Sequence, residues 1–217
     1  MSNQAGKHPY QASSGQVRAW DEAYSQEHLR WRGPSDLDLS RLDGRVLELG
    51  CGDGKTAIAL IEKGLRVVGL DLSGTALSAL SKRSGSDRLS LVQGNAIDLP
   101  FREGVFDCVT AAHMIDHLLS TERSQAVDEI RRVLRPHGLV VGRFFSVDDM
   151  RFGKGTEIEP NTYLRGVGVF NHYFSEQEIL ALFSGFEVIS IRSTKKPTKF
   201  PSDTGYRVLI TAELRKR

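Results

Sequence analysis

A short apolar run that leads straight into a glycine-rich turn constrains the fold of this chain more than any other feature. Residues 46–54 read VLELGCGDG, with Gly50, Gly52 and Gly54 in the turn and a polar helix start at Lys55. Glycine permits positive φ and leaves no Cβ between the backbone and a bound molecule, and a helix N-terminus presents oriented N–H donors. The turn therefore predicts a close approach of a ligand to the backbone, with a purely structural tight turn as the alternative.

The rest of the chain alternates short apolar runs with longer amphipathic ones, which indicates βαβ units on a parallel sheet. Strands are predicted over residues 46–49, 66–70, 89–92, 105–110, 139–145, 186–191 and 207–213, and helices over 55–63, 74–82, 122–134 and 175–183. Right-handed crossovers then place helices on both faces of the sheet.

Three segments complete the predicted domain organisation. Residues 1–16 have almost nothing to bury and are expected to form a mobile tail, ahead of a single domain over 17–217. Apolar and aromatic residues recur at helical spacing over 17–34, which predicts an N-terminal lid helix. Residues 146–174 break the strand–helix rhythm and are too long for an idle connection, so we expect a cap insertion there.

Composition excludes several classes of protein. With 29 Lys and Arg against 27 Asp and Glu, the net charge of +2 permits nucleic-acid binding without implying it. No apolar stretch approaches the ~20 residues that a membrane-spanning helix needs, so no membrane partner is expected. The N-terminus has no apolar leader and the chain has only two cysteines, which together predict a cytoplasmic protein.

Asp71 is the second feature that indicates a ligand. It ends the apolar run 66–70, about 20 residues beyond Gly50, where a carboxylate accepts hydrogen bonds from a ribose diol. The alternative is that Asp71 caps the helix that follows. A dinucleotide fingerprint starting at Gly50 requires glycine at position 55, which is Lys55, so the spacing disfavours a nicotinamide cofactor and leaves S-adenosylmethionine.

With these motifs in order, the sequence resembles the class I S-adenosylmethionine-dependent methyltransferases, in particular the branch called methyltransferase type 11. The matching segments are ELGCGDG at 48–54, GLDLS at 69–73, GNAIDLPF at 94–101, FDCV at 106–109 and LRPHG at 134–138. The resemblance implies a Rossmann-like α/β fold. Its sheet would have seven mostly parallel strands with an antiparallel final strand, helices on both faces and a small cap.

The resemblance also implies which residues hold the cofactor, S-adenosylmethionine, which becomes S-adenosylhomocysteine. The expected cofactor contacts are Glu48, Gly50, Cys51, Gly52, Gly54, Asp71, Leu72, Asn95, Ala96 and His113. Asp71 would bind the ribose, and Leu72 and Ala96 would enclose the adenine. Asn95 departs from the family pattern, which usually has Asp there, but an amide oxygen also accepts from the exocyclic amine.

Two histidines follow the fourth predicted strand, at the sheet edge where ligands bind in such folds. His113 and His117 are the candidate catalytic residues, because histidine accepts a proton near neutral pH. A structural role for His117 is the alternative. The two lie four residues apart like a metal-binding pair, but no third ligand is evident, so no metal is expected.

Acceptor selectivity is expected on the lid helix and the cap. The candidate substrate-binding residues are Tyr24, Trp31, Arg143, His172 and Tyr173. Arg151 and Arg165, like Arg143, are predicted to pair with a substrate carboxylate or phosphate.

The sequence thus predicts a methyltransferase that acts on a small molecule. A tRNA- or other RNA-modifying enzyme is the alternative, because basic residues cluster over 131–135, 192–199 and 215–217. A non-catalytic cofactor-binding module is the second alternative.

Overall fold

A computed structural model describes residues 10–25, 35–198 and 205–217. The strands are β1 (Arg45–Leu49), β2 (Arg66–Asp71), β3 (Leu89–Gln93), β4 (Phe106–Ala112), β5 (Leu134–Phe145), β6 (Thr156–Glu159), β7 (Thr162–Arg165), β8 (Val169–His172), β9 (Phe186–Pro197) and β10 (Tyr206–Lys216). The helices are α1 (Tyr10–Ser25), α2 (Lys55–Glu62), α3 (Gly74–Ser84), α4 (Ser120–Val133) and α5 (Glu176–Leu182), with a 3-10 turn at Ile115–His117. The lid residues 26–34, which include Trp31, lie outside the described residues.

The main sheet has seven strands in the order β3-β2-β1-β4-β5-β10-β9. The pairs among β1 to β5 are parallel, whereas β10 is antiparallel to both β5 and β9. This confirms the predicted sheet with its antiparallel final strand. Leu49 is in register with Leu70 and Ala111, so the carboxyl ends of β1, β2 and β4 meet at one edge.

Alternating side chains on the strands build two cores, one on each face of the sheet, as a pleated strand requires. Leu47 and Leu49 pack with residues of α4 and α5 on one face. Val46 packs with Ala57 and Leu60 of α2, and with residues of α3, on the other. The helices therefore lie on both faces, as predicted.

The N-terminal helix starts earlier than predicted. It runs from Tyr10, so residues 10–16 are helical rather than part of a mobile tail. Contacts with distant segments hold it in place: Gln16 Nε2 donates to the carbonyl of Gly168 at 3.0 Å, and Asp21 Oδ1 accepts from Ser73 Oγ at 2.6 Å and from the Thr75 N–H at 3.1 Å. These contacts join segments that are distant along the chain, so no local sequence pattern predicts them.

The segment predicted as a cap contains a second sheet of three antiparallel strands, β6-β7-β8. It packs on the 3-10 turn that follows β4, where His117 Nδ1 lies 2.6 Å from the carbonyl oxygen of Phe170. The insertion therefore sits beside the carboxyl edge of the main sheet. Among the described helices, none is long and apolar enough to cross a membrane.

Candidate active site

The turn after β1 is built around three glycines in the left-handed region of backbone space. Gly50, Gly52 and Gly54 have φ of 66°, 51° and 98°. A Cβ at Gly50 would lie 2.8 Å from Met114, one at Gly52 would collide with the Tyr24 hydroxyl, and one at Gly54 would collide with Leu80. The first two glycines thus allow close approach at the sheet edge, and Gly54 instead allows α3 to pack against the turn.

Asp71 ends β2 directly beside this turn. Its Oδ2 accepts from the Gly52 N–H at 2.8 Å, and its Oδ1 accepts from the Ser73 N–H at 2.8 Å. Burial raises the pKa of this carboxyl, although the backbone hydrogen bonds oppose the rise. Each oxygen accepts one backbone bond and keeps further acceptor capacity for a ligand. The cap of α3 is Ser73, whose Oγ accepts from the Ala76 N–H at 3.1 Å, so Asp71 does not itself cap the helix.

Glu48 supports the turn from inside the sheet. It is buried on β1 and accepts from the hydroxyl of Thr110 on β4. Burial raises the pKa of Glu48 to about 8, against hydrogen bonds from Thr110 and Thr56. The side chain is therefore largely protonated at neutral pH and acts as a hydrogen-bonding strut between β1, β4 and α2.

A cavity of about 250 Å³ opens at this edge. It brings together twelve of the predicted site residues: Tyr24, Glu48, Gly50, Cys51, Gly52, Asp71, Leu72, Asn95, Ala96, His113, His117 and Arg143. Gly54, His172 and Tyr173 are not among the lining residues. Burial raises the pKa of the Cys51 thiol, so it presents a neutral thiol in this cavity.

His113 lines the same cavity as Asp71 and forms a buried pair with Asp116. His113 Nδ1 lies 3.2 Å from Asp116 Oδ2, and Asp116 Oδ1 accepts from the Phe145 N–H at 2.9 Å. The imidazole stacks on the Phe145 ring at 4.5 Å, and His113 itself has a positive φ of 61°. Burial, together with the charges of Arg143 and Arg207, lowers the pKa of His113 to about 3, so its ring is neutral at physiological pH.

Comparison with known proteins bears directly on this edge of the sheet. A model of the family described as "Methyltransferase domain" matches residues 47–142, which span β1 to the middle of β5. A SAM-dependent methyltransferase from Methanosarcina mazei has the same fold, with a TM-score of 0.71 at 22% identity over 80% of this chain and 92% of that one. Residues 47–142 therefore match a methyltransferase-domain family, and the fold around them is the one found in solved S-adenosylmethionine-dependent methyltransferases.

Two relatives extend the comparison. The tRNA N(3)-methylcytidine methyltransferase Mettl2 of Drosophila melanogaster is 29% identical over 165 residues, which cover 70% of this chain and 51% of that protein. The demethylmenaquinone methyltransferase of Clavibacter sepedonicus is 34% identical over 113 residues, which cover 51% of this chain and 45% of that protein. The chain spans about half the length of these curated relatives.

His117 occupies a different environment from His113 in the methyltransferase site. Its Nδ1 meets the Phe170 carbonyl, and its ring contacts Trp20 edge-on at 4.8 Å and Phe145 at 5.8 Å. Burial lowers the pKa of His117. The ring joins α1, the 3-10 turn and the cap, which favours the structural interpretation of this histidine.

The predicted acceptor-side residues separate in the structure. Arg143 lines the cavity, but its guanidinium is held by the carboxylate and carbonyl of Asp36. His172 is buried in the cap, where both ring nitrogens lie 2.8 Å from partners, Thr162 Oγ1 and Glu178 Oε1. Its position makes it a cap-stabilising residue rather than a substrate contact.

Tyr173 is also one layer away from the cavity. It is buried and packs on Phe145 with ring centroids 5.7 Å apart, and its hydroxyl accepts from Arg165 at 3.3 Å. Phe145, not Tyr173, presents its ring to the methyltransferase cavity.

Sequence reasoning missed several residues that line the cavity: Gln16, Trp20, Asp36, Phe145, Arg207 and Leu209. They come from α1, the segment before β1, β5 and β10, which are distant along the chain. No family motif marks them. Within the described residues, no group of three or more His, Cys, Asp or Glu side chains is arranged to hold a metal ion.

Proposed function

We propose that this protein transfers a methyl group from S-adenosylmethionine to a planar nitrogen-containing ring held between α1, β5 and β10. The observation that carries the proposal is a single cavity lined by the glycine turn, Asp71 and the neutral His113. When bound, the cofactor supplies a methyl group on a positively charged sulfur, which is already a strong electrophile. The protein then has to bind the acceptor, orient it toward the methyl group and exclude water.

The cofactor half of the cavity suits S-adenosylmethionine. Gly50 and Gly52 leave room at the backbone for the methionine part, and Asp71 retains acceptor capacity for a ribose diol. Leu72, Asn95 and Ala96 line the neighbouring wall, although the Asn95 amide oxygen also accepts from the Ile97 N–H at 3.3 Å. We infer that these side chains enclose the adenine.

The acceptor half has aromatic walls and one hydrogen-bond acceptor without a partner. Trp20 and Phe145 line it and suit a flat ring. Gln16 Oε1 is buried and, among the described residues, has no hydrogen-bond donor, while its Nε2 is fixed on Gly168. A ligand N–H group would satisfy this oxygen, since a buried acceptor without a donor costs about 1–3 kcal/mol.

His113 is the residue that we assign to orienting the acceptor. Its low pKa keeps the imidazole neutral, and Asp116 together with the Phe145 ring fixes its orientation. A neutral imidazole so placed accepts a hydrogen bond from a ring N–H or an amino group of the acceptor and holds it in line with the methyl group. His117 would instead hold the cap against α1.

For the acceptor class, a pyrimidine base in RNA is favoured by the length of the similarity to the tRNA enzyme. That alignment covers 70% of this chain, whereas the alignment to the demethylmenaquinone enzyme covers 51%. A base turned out of its strand fits an enclosed aromatic cavity. The basic residues near the C-terminus are consistent with an RNA partner.

A small-molecule acceptor, which the sequence analysis places first, remains the second candidate. It is favoured by the higher identity, 34%, to the demethylmenaquinone enzyme and by the enclosure of the cavity under α1. Both candidates use the same cofactor half of the site.

A labelled-methyl experiment separates these acceptors. The protein is incubated with S-adenosylmethionine bearing a deuterated methyl group, with total tRNA in one arm and the small-molecule fraction of a cell extract in the other. After the RNA is digested to nucleosides, mass spectrometry locates the label, and Asp71→Ala serves as the cofactor-site control. Label in a pyrimidine nucleoside supports the proposal.

The other outcomes are equally informative. Label confined to the extract arm replaces RNA by the small-molecule candidate. Tight binding of S-adenosylhomocysteine with no label in either arm leaves the non-catalytic cofactor-binding module as the explanation.

A further inference from the structure

Three arginines gather beside the acceptor half of the cavity around one carboxylate. Arg207 of β10 donates through Nε to Asp149 Oδ2 at 2.7 Å. Arg165 of β7 donates to the Tyr173 hydroxyl at 3.3 Å. Arg151, two residues after Asp149, is close enough to both other arginines for their charges to lower its pKa, in addition to the lowering by its own burial.

Asp149, the carboxylate of this group, already accepts several hydrogen bonds. Asp149 is buried and accepts from the N–H groups of Arg151 and Val208 as well as from Arg207. Among the described residues, no carboxylate forms an ion pair with the guanidinium of Arg151 or Arg165. The group therefore carries a net charge of about +2 in a half-buried position, which is unfavourable unless an anion completes it.

This group adjoins the cavity through Arg207 and Phe145. Arg207 lines the cavity and lies over the Phe145 ring, 5.6 Å from its centroid. Tyr173 also connects this group of arginines to the cavity, because its ring packs on Phe145 and its hydroxyl accepts from Arg165. A molecule stacked near Phe145 and His113 would thus place a substituent beside Arg207, the one of the three arginines that lines the cavity, with Arg151 and Arg165 behind it.

We propose that Arg151, Arg165 and Arg207 form an anion subsite that binds a phosphate or carboxylate group carried by the methyl acceptor. This inference rests on the proposed function, because it assigns the anion to the acceptor. Guanidinium groups match the planar, multidentate geometry of such anions. The subsite would position the acceptor ring against His113 through a contact that does not involve the reacting atom.

Two kinds of molecule carry an anion that suits this subsite: an RNA, through a backbone phosphate, and a small molecule, through a phosphate or carboxylate. Titrations of the protein with inorganic phosphate, acetate, cytidine monophosphate, unphosphorylated cytidine and a short cytidine-containing RNA hairpin separate these sources. They are run with S-adenosylhomocysteine present, and the affinity for S-adenosylhomocysteine is measured separately.

The test variants are Arg151→Gln and Arg165→Gln, and Lys154→Gln is the matched control. Lys154 is exposed on the same segment, so its substitution removes the same charge without touching the subsite. We expect each arginine variant to weaken binding of at least one anionic probe about tenfold or more, on the scale of hydrogen bonds to charged groups. S-adenosylhomocysteine affinity and the circular dichroism spectrum should stay unchanged, and Arg151→Lys should recover part of the loss.

The outcomes distinguish the subsite from the proposed function. A loss for the RNA hairpin assigns the subsite to a backbone phosphate, and a loss for phosphate, acetate or the mononucleotide alone assigns it to a small anion; both support it. The proposal is overturned if Arg151→Gln and Arg165→Gln bind every anionic probe as Lys154→Gln does. If S-adenosylhomocysteine does not bind the wild-type protein, the proposed function fails instead, whatever the anion titrations give.

Discussion

The Tyr24 hydroxyl of α1 lies directly over Gly52, so closely that a Cβ on Gly52 would collide with it. Gly52 also donates its N–H to Asp71, which links the lid helix, the glycine turn and the end of β2 at one point. α1 can therefore pack over the cofactor half of the site only because residue 52 is a glycine and has no side chain.

Gly52→Ala is expected to destabilise the protein by more than Gly64→Ala. Both glycines have positive φ, but a Cβ at Gly64 would meet nothing within 4 Å. The backbone strain alone costs about 1–2 kcal/mol, and the collision with Tyr24 adds to it at Gly52. Urea unfolding of the two variants measures the difference, and Tyr24→Phe combined with Gly52→Ala should recover part of it. Equal destabilisation by the two substitutions would contradict the close approach.

Asp71→Ala is expected to weaken S-adenosylhomocysteine binding by about 1.5–3 kcal/mol, the scale of lost hydrogen bonds to a charged group. Asp87→Ala, at an exposed aspartate beyond α3, should leave the affinity unchanged. Calorimetric titration with S-adenosylmethionine, S-adenosylhomocysteine and NAD measures the effect, and NAD should not bind. An unchanged dissociation constant in a folded Asp71→Ala protein refutes the ribose-binding role.

His113→Ala is expected to lower kcat/KM about tenfold, the scale of one lost hydrogen bond to the acceptor. His137→Ala, at an exposed histidine before the second half of β5, is the control and should retain full activity. The measurement is methyl transfer to whichever acceptor takes the label. If His113→Ala retains wild-type kcat/KM, this residue does not orient the acceptor.

The free energy of unfolding should fall as pH rises from about 6.5 to about 8. Below this window the lowered pKa values of His113 and His117 act in the opposite direction, because these histidines bind protons in the unfolded chain and not in the folded one. Burial raises the pKa of Glu48 to about 8 and that of Asp116 to about 7, whereas both ionise near pH 4 in the unfolded chain. The folded protein therefore binds more protons over this window, and stability declines with pH. Urea unfolding at several pH values should show this decline, with a shallower slope for Glu48→Gln and the wild-type slope for Glu62→Gln, at an exposed position. A stability that rises with pH over this window would contradict the raised pKa values.

The meeting of the glycine turn and Asp71 at one sheet edge was predictable because its information is local. The strand, the glycine turn and Asp71 follow one another closely in sequence, and parallel β1 and β2 bring their ends together. Periodicity and turn chemistry are enough to place such residues. The parallel strands with helices on both faces followed from the βαβ rhythm, whereas the antiparallel final strand was implied by the family resemblance.

The acceptor half was not predictable in the same way because its residues meet only in the tertiary structure. Arg207 contacts Phe145 and Asp149, which lie 62 and 58 residues earlier in the chain. No pattern in the sequence around Arg207 predicts these contacts. The aromatic run 170–174 looked like a substrate surface, but Thr162 and Glu178 occupy both nitrogens of His172 inside the cap. Buried polar partners of this kind leave no periodic signal in the sequence.

The position of β10 between β5 and β9 also governs the order in which the molecule is assembled. On the ribosome, β9 emerges with no strand to pair with in the main sheet, and β5 presents an open edge until β10 follows. A nascent chain stalled before Tyr206 would expose that edge to other chains, which is a route to aggregation. Because Arg207 and Leu209 belong to β10, the cavity is completed only after β10 has emerged and paired with β5.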